Sequence, residues 1–221
     1  ASIISNQNIS YPYLCFLVTG GHTQIWEVQS VGNYILHSNT VDDAAGEAFD
    51  KGARILGLAY PGGPEIEKMA ITGNCNYYKF PIPEVKNNPY DFSFSGLKTS
   101  LLYKIRDMDS VERKNNFHHI ASSYQEAILK SLLFKLNRVI DKTGIKNISI
   151  VGGVAVNKRF RKLSEIMMSE NNLKIYFPEL QYCTDNAAMI AASGYIKIKD
   201  GFTSKLNLKA NPSLALNEID I

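Results

Sequence analysis

The feature that most constrains this chain is a change in hydrophobic period close to residue 42. Before it, three short apolar runs alternate as half-buried strands do, and tight-turn residues separate them. The separators are Gly20-Gly21-His22 and Ser30-Val31-Gly32. The predicted strands are Tyr13–Thr19, Thr23–Gln29 and Asn33–Thr40. We therefore expect an antiparallel meander at the start of the fold.

After residue 42 the apolar residues recur at helical spacing, and strands return only late in the chain. Four helices are predicted first, and they lie over 42–59, 65–72, 97–105 and 117–142. The polar, proline-containing stretch 73–96 between them is expected to be a long irregular loop, a kind of segment that is often functional. The chain then alternates between strands at 147–151 and 173–177 and helices at 157–169 and 184–198.

This order of elements predicts an α/β fold with a mixed five-stranded sheet, three antiparallel strands followed by two parallel ones, and helices on both faces. Such an arrangement is one lobe of the actin-like, ribonuclease-H-like architecture. A Rossmann fold fits less well, because its first strand leads directly into a glycine-rich helix start. Here the first glycine pair lies in a predicted hairpin.

Composition excludes several classes of protein. With 221 residues, 45% of them apolar and 20% charged, the chain is neither disordered nor collagen-like. No apolar run approaches the roughly 20 residues that span a bilayer, so no membrane-spanning segment is expected. The three cysteines are far apart, which favours a reducing, cytoplasmic location over a disulfide framework. A net charge of +3 permits a polyanionic partner without requiring one.

The start of the chain suggests a piece of a longer protein. It begins at Ala1 without a methionine and has none of the features of a secretory signal. We expect residues 1–12 to be a polar lead-in and residues 13–221 to form one domain.

Two glycine pairs are candidates for binding an anion or a nucleotide. Leu17, Val18, Thr19, Gly20 and Gly21 lead from a strand into a turn, where glycine permits close approach of a phosphate. The alternative is an ordinary hairpin.

The second pair, Gly152-Gly153, ends a predicted strand just before a helix, the usual position of an anion site. Asn157, at the start of that helix, either caps the helix or hydrogen-bonds a ribose. The alternative for the glycines is a simple tight turn. Because the two glycine-containing strands are predicted neighbours, a shared site is favoured.

Carboxylates concentrate near the first long helix. Asp43, Glu47 and Asp50 lie on one helical face, and Gly46 on that face suggests close approach of another group. The alternative is a solvated acidic helix start. Asp185, near the start of the last helix, is either functional or an ordinary cap.

Six sequence runs, in this order and spacing, resemble the bacterial tRNA adenosine threonylcarbamoyltransferase family, formerly described as glycoproteases or O-sialoglycoprotein endopeptidases. The runs, spread over residues 17–191, are LVTGGHTQ, DDAAGEAFDK, YPGGP, FSFSGLKT, GGVAVN and CTDNAAMIA. The resemblance implies transfer of a threonylcarbamoyl group from threonylcarbamoyl-adenylate to the exocyclic amine of the tRNA adenosine 3′ of the anticodon. In the complete enzyme, the family's divalent metal is expected to act as a Lewis acid on the acyl phosphate. No residue of this sequence is an obvious covalent nucleophile, so we expect direct attack by the amine on the carbamoyl carbon.

Carried over residue by residue, the resemblance implies a set of ligand-binding positions. The family's substrate-binding loop matches Leu17, Val18, Thr19, Gly20 and Gly21. The other substrate-binding positions match Asp50, Gly63 and Asn157. We expect these residues to form one concave face at the carboxyl ends of the central strands.

The metal-binding pattern of the family is incomplete in this sequence. Its aspartate matches Asp185, but the two histidines of its HxxxH motif have no counterpart in this chain. One carboxylate does not hold iron or zinc specifically. We expect the divalent metal, iron or zinc, to belong to the full-length enzyme, and this chain to be an inactive second lobe.

The resemblance also implies partners: tRNA, threonylcarbamoyl-adenylate, a small ATPase and an inactive paralogue subunit. The main alternative is a generic actin-like ATPase or sugar-kinase lobe that binds ATP. A metalloprotease is less consistent, because no H-E-x-x-H helix is present. A non-catalytic docking module is the fourth possibility.

Overall fold

The computed structural model describes residues 2–6, 9–207 and 209. The predicted lead-in therefore falls partly outside the described residues, and so does the end of the predicted domain at residues 208 and 210–221. Within the lead-in, Ser2–Ser5 form a short helix, α1. Among the described helices, none is long and apolar enough to cross a membrane.

The sheet has the predicted five strands in the order β3-β2-β1-β4-β5. The pairs β3/β2 and β2/β1 are antiparallel, whereas β1/β4 and β4/β5 are parallel. The strands are β1 (Tyr13–Val18), β2 (Thr23–Ser30), β3 (Asn33–Asn39), β4 (Asn147–Val151) and β5 (Lys174–Tyr176). The parallel pair puts the carboxyl ends of β1 and β4, where both glycine pairs follow, at the same edge of the sheet.

The remaining helices come close to the predicted ranges. They are α2 (Ala45–Ile55), α3 (Gly62–Ala70), α4 (Ser95–Asp107), α5 (Ser110–Thr143), α6 (Lys158–Asn171) and α7 (Ala187–Lys199). The largest difference is at α5, which begins seven residues before the predicted start at 117. The Asp109 carboxylate accepts from the N–H groups of Val111 and Glu112 at 2.8 Å, so this cap extends the helix into a polar stretch.

The core lies on one face of the sheet. Leu14, Phe16 and Val18 of β1 are fully buried there, against α2, α4, α5 and α6. The Phe16 ring stacks on Phe92 and meets Phe160 of α6 edge to face, with centroids 5.6 and 6.3 Å apart. This packing fixes the start of α6 close to the carboxyl end of β1.

The irregular loop between α3 and α4 is held to the rest of the lobe by two groups near its C-terminal end. Asp42 accepts from the hydroxyls of Ser93 and Ser95 and from the N–H of Phe94, at 2.6 to 2.8 Å. A few residues earlier in the loop, the buried ammonium of Lys135 donates to the carbonyl of Pro89 at 2.8 Å. The long loop is therefore part of the packed lobe.

Candidate functional site

Two cavities meet at the edge of the sheet where β1 and β4 end. The first, here called the glycine cavity, has a volume of about 320 Å³ and is lined in part by Gly20, Gly46, Gly63 and Gly153. The second, the sheet cavity, has a volume of about 660 Å³ and lies over β1 and β4, with Asp185 at its border. Gly20, Gly153 and Thr184 border both.

The two predicted glycine corners are in direct contact, as expected for neighbouring strands. Gly152 has φ of 101°, and a Cβ at this position would lie 2.4 Å from the carbonyl oxygen of Val18. Gly46 of α2 packs on the same corner, where a Cβ would lie 2.7 Å from the oxygen of Thr19. The close approach predicted for Gly46 is therefore made by the chain itself.

At three other glycines that line the glycine cavity, neither close packing nor backbone conformation requires glycine. At Gly20, Gly63 and Gly153 a Cβ would meet no atom of the described residues within 4 Å, and none of the three has a left-handed φ. All three border the cavity. Side chains here would project into open space or into the cavity, so this part of the cavity wall is formed by backbone without side chains.

Asp50 and Asn157 also line the glycine cavity, together with Gly63. The Asp50 Oδ1 atom accepts from the N–H of Gly62 at 2.7 Å, which fixes the carboxylate to the first residue of α3. Thus four of the predicted substrate-binding residues, Gly20, Asp50, Gly63 and Asn157, border one cavity.

Asn157 is a helix cap in the structure. Its Oδ1 atom accepts from the N–H of Phe160 at 2.9 Å, and its Nδ2 atom donates to Oε1 of Gln125 at 2.9 Å. The side chain is buried, with 7% of the residue exposed. Its amide is therefore held in one orientation at the cavity wall.

The residues of the predicted substrate-binding loop, Leu17 to Gly21, lie in different surroundings. Leu17 and Thr19 border the sheet cavity, whereas Val18 is fully buried in the core. Thr19 Oγ1 accepts from the N–H groups of Gly21 and His22, at 3.2 and 2.8 Å. Because the turn itself uses these two amides, they are not free to cradle an anion as the sequence suggested.

The predicted acidic face, Asp43, Glu47 and Asp50, also has its residues in different surroundings. The helix α2 begins at Ala45, so Asp42 and Asp43 precede it. Lys51 forms ion pairs with Asp43 at 2.6 Å and with Glu47 at 2.8 Å, which neutralises this part of the cluster. Of the predicted acidic face, Asp50 alone borders the glycine cavity.

Asp185 does not lie on the glycine cavity. It precedes α7, whose cap is the neighbouring Asn186, and it borders the sheet cavity beside Cys183. Within the described part of the chain, no group of three histidine, cysteine or acidic side chains could hold a metal ion. Among the described residues, Asp185 therefore lacks the further ligands that a divalent metal needs.

The thiols near the site are poor nucleophiles. Burial raises the pKa of Cys15 to about 11, and burial also raises that of Cys183 despite the neighbouring Arg161. Both thiols border the sheet cavity and remain protonated at neutral pH.

Two polar residues that contact the start of α6 beside the site were not identified from the sequence. Gln125 lies in the buried centre of α5, and Glu67 of α3 accepts from the N–H of Lys158 at 2.6 Å. The signal for Gln125 was present, since polar residues in the middle of an apolar helix need partners. The sequence did not indicate which residues those partners are.

The fold and the cavities define the class of this protein as an actin-like α/β lobe. Full-length HypF, solved in a phosphate- and nucleotide-bound form, is similar with a TM-score of 0.62 and 11% identity, over 83% of this chain and 39% of HypF. HypF from T. kodakarensis gives a TM-score of 0.53 and 21% identity, over 75% of this chain and 21% of that one. At these identities the likeness concerns the fold alone.

Sequence comparison identifies the family. The sequence model of tRNA N6-adenosine threonylcarbamoyltransferase matches residues 1–192. The enzyme of this name from Thermosipho africanus is 43% identical over 218 residues, which are 98% of this chain and 65% of the relative. That from Kosmotoga olearia is 44% identical over 98% of this chain and 64% of the relative. The chain belongs to the tRNA N6-adenosine threonylcarbamoyltransferase family and spans about two thirds of the length of these relatives.

Proposed function

We propose that this chain is the substrate-binding second lobe of a tRNA threonylcarbamoyltransferase and that its glycine cavity receives the adenylate part of threonylcarbamoyl-adenylate. The observation that carries the proposal is the bare wall formed by Gly20, Gly63 and Gly153. A wall without side chains brings backbone groups into reach of a flat base, a ribose or a phosphate. The names of the relatives supply the reaction.

In this proposal the predicted residues have separate tasks. Gly20 and Gly153, which follow β1 and β4, admit the ligand to the sheet edge, and Gly63 of α3 lines the same cavity. Asp50 supplies a carboxylate that accepts hydrogen bonds from ligand hydroxyls, and the Asn157 amide donates. Leu17, Val18, Thr19 and Gly21 act through the loop that places Gly20.

The proposed chemistry is direct acyl transfer. The exocyclic amine of the tRNA adenosine attacks the carbamoyl carbon, and a C–N bond forms. The bond from that carbon to the phosphate oxygen breaks, AMP leaves with the electron pair, and the amine proton passes to solvent. No covalent step through Cys15 or Cys183 is included, because both thiols are protonated at neutral pH. We assign no step to a metal.

The domain assignment is part of the same proposal. Residues 13–221 are the second lobe and residues 1–12 lead into it from the first. The first lobe supplies the two histidines that join Asp185 at the divalent metal, iron or zinc. The tRNA, the small ATPase and the paralogue subunit engage the complete protein.

Calorimetric titration of this chain with an adenosine nucleotide tests the site. We expect a Kd of roughly 0.1 mM or weaker, about −5.5 kcal/mol, because half of the cleft walls belong to the other lobe. Asn157→Ala is expected to weaken binding further. Micromolar binding that is unaffected by Asn157→Ala would contradict the proposed position of the site.

A second assay tests the reaction. A chimera in which this chain replaces the corresponding segment of the Thermosipho africanus relative is expected to transfer the threonylcarbamoyl group to tRNA. Asp50→Ala in the chimera is expected to reduce that transfer, whereas the exposed Asp107→Ala is the matched control. ATP hydrolysis without transfer would favour the ATPase or sugar-kinase alternative.

A further inference from the structure

Two consecutive polar side chains in the buried centre of α5 hold the start of α6. Gln125 and Glu126 are only 5% and 4% exposed. Gln125 accepts from the Asn157 amide at 2.9 Å, and Glu126 binds Nε and Nη2 of Arg159 at 2.8 and 2.9 Å. Because a buried polar group without a partner is costly, these contacts give the α5–α6 junction a specific geometry.

The contact with Gln125 decides how the Asn157 amide is presented. Oδ1 of Asn157 is used by the N–H of Phe160, and one hydrogen of Nδ2 is used by Gln125. A side-chain amide carries two hydrogens on its nitrogen, so one donor is left over. Asn157 also borders the glycine cavity. Gln125 does not border this cavity; it lines a neighbouring cavity of about 500 Å³, and Pro64 and Glu67 line both cavities.

We propose that Gln125 is a positioning residue: it holds Asn157 so that the free amide hydrogen serves as a fixed hydrogen-bond donor to the ligand in the glycine cavity. The inference rests on the proposed function, because it takes the cavity to bind an adenosine nucleotide. The helix cap at Phe160 fixes one atom of the amide, and Gln125 fixes the other. A donor fixed before binding costs less ordering entropy when the ligand arrives.

The test compares two variants at position 125. Gln125→Met keeps the length and volume of the side chain but removes the acceptor, whereas Gln125→Glu keeps an accepting oxygen in either protonation state. With AMP as the probe and NMR shift titration of the chain as the measurement, we expect Gln125→Met to weaken binding about fivefold. Gln125→Glu is expected to restore most of the affinity. Ser123→Ala, two residues away on the same helix and equally buried, is the control and should leave affinity unchanged.

A double-mutant comparison separates positioning from general destabilisation. In an Asn157→Ala background, Gln125→Met should have no further effect on AMP affinity, because the side-chain amide that Gln125 holds is already absent. An equal fivefold loss in both backgrounds would overturn the inference. So would unchanged affinity of Gln125→Met in the otherwise unaltered chain.

A ligand-free measurement distinguishes failure of this inference from failure of the proposed function. The side-chain amide hydrogens of Asn157 should exchange slowly with solvent in the unaltered chain and faster in Gln125→Met. Absence of AMP binding by the unaltered chain would overturn the proposed function and the binding role of Gln125 together. Binding with equal amide exchange in both proteins would overturn the positioning role alone.

Discussion

Gly152 and Gly153 are adjacent residues with opposite structural requirements. Gly152 has φ of 101° and no room for a Cβ, whereas Gly153 has space on the cavity side. Alanine at 152 is strained both by its backbone conformation and by contact with the Val18 carbonyl. We expect Gly152→Ala to lower the free energy of unfolding by about 3 kcal/mol.

Gly153→Ala is the matched variant for that experiment. It should leave the free energy of unfolding within about 0.5 kcal/mol, because a Cβ at Gly153 meets no described atom within 4 Å. Since Gly153 lines the glycine cavity, we expect the added methyl group to weaken nucleotide binding. Urea denaturation and titration with AMP measure the two effects separately. Loss of stability in Gly153→Ala with unchanged binding would show that this glycine serves the fold.

Ser131 of α5 is a fully buried residue whose hydroxyl finds no hydrogen-bond partner among the described residues. A buried hydroxyl without a partner destabilises the folded state, and alanine also has the higher helix propensity. We therefore expect Ser131→Ala to raise the free energy of unfolding by about 1 kcal/mol, measured by urea denaturation.

Ser123 on the same helix provides the contrast. Its hydroxyl accepts from the N–H of Tyr78 at 3.1 Å and donates to the carbonyl of Asn74 at 3.2 Å. Ser123→Ala should lower the free energy of unfolding by about 1 kcal/mol. Equal effects of the two substitutions would show that the partners of these hydroxyls do not decide their energetics.

At the scale of elements, the contact between α5 and α6 depends on pH through Glu126. Burial alone would raise the pKa of this carboxyl, but the hydrogen bonds from Arg159 and the charges of Arg159 and Lys130 outweigh burial and lower it. A lowered pKa means that Glu126 stabilises the fold above its unfolded pKa and that this contribution disappears as the pH falls through the folded value.

Glu126→Gln is expected to lower the free energy of unfolding by about 1.5 kcal/mol at pH 7. The difference from the unaltered chain should shrink below about pH 5, as the carboxylate of the unaltered protein becomes protonated. Urea denaturation between pH 3 and pH 7 measures it. Arg159→Met should raise the pKa of Glu126, because burial then acts with less opposition. A pH-independent difference would contradict the assignment.

At the scale of the whole molecule, burial is unevenly distributed among the helices. Every residue from Ile120 to Leu129 of α5 is buried, whereas α7 has no buried residue and exposes 68% of both Ile190 and Ile198. The helix that follows Asp185 is thus held by fewer buried apolar groups than the helix that holds Asn157 in place. We therefore expect the two sides of the proposed site to differ in local stability.

Amide hydrogen exchange tests this difference. The central amides of α7 should exchange through local opening and well before those of residues 120–129 in α5, which should exchange only near the limit of global unfolding. The experiment follows exchange by NMR at neutral pH. Equal protection of the two helices would show that α7 is anchored as firmly as α5.

From β1 onward, the sequence alone determined the order and type of the strands and α-helices, because hydrophobic period and turn residues act over a few neighbouring positions. The short helix α1 in the lead-in was not predicted. The five strands, the parallel pairing after the crossover and the glycine corners were predictable in this way. The start of α5 was not predicted, because the Asp109 cap begins the helix in a polar stretch that has no apolar helical period. Helix ends depend on single side chains and are therefore harder to predict.

Only the tertiary structure decided which candidate residues share a cavity and what occupies their hydrogen bonds. Asn157 meets Gln125, which lies 32 residues earlier, and Gly152 packs on a carbonyl of β1. Asp50 faces the glycine cavity while Asp43 and Glu47 pair with Lys51, although the three were predicted on one helical face. Local spacing cannot determine such contacts, because they join residues that are distant in the chain and depend on how sheet and helices pack.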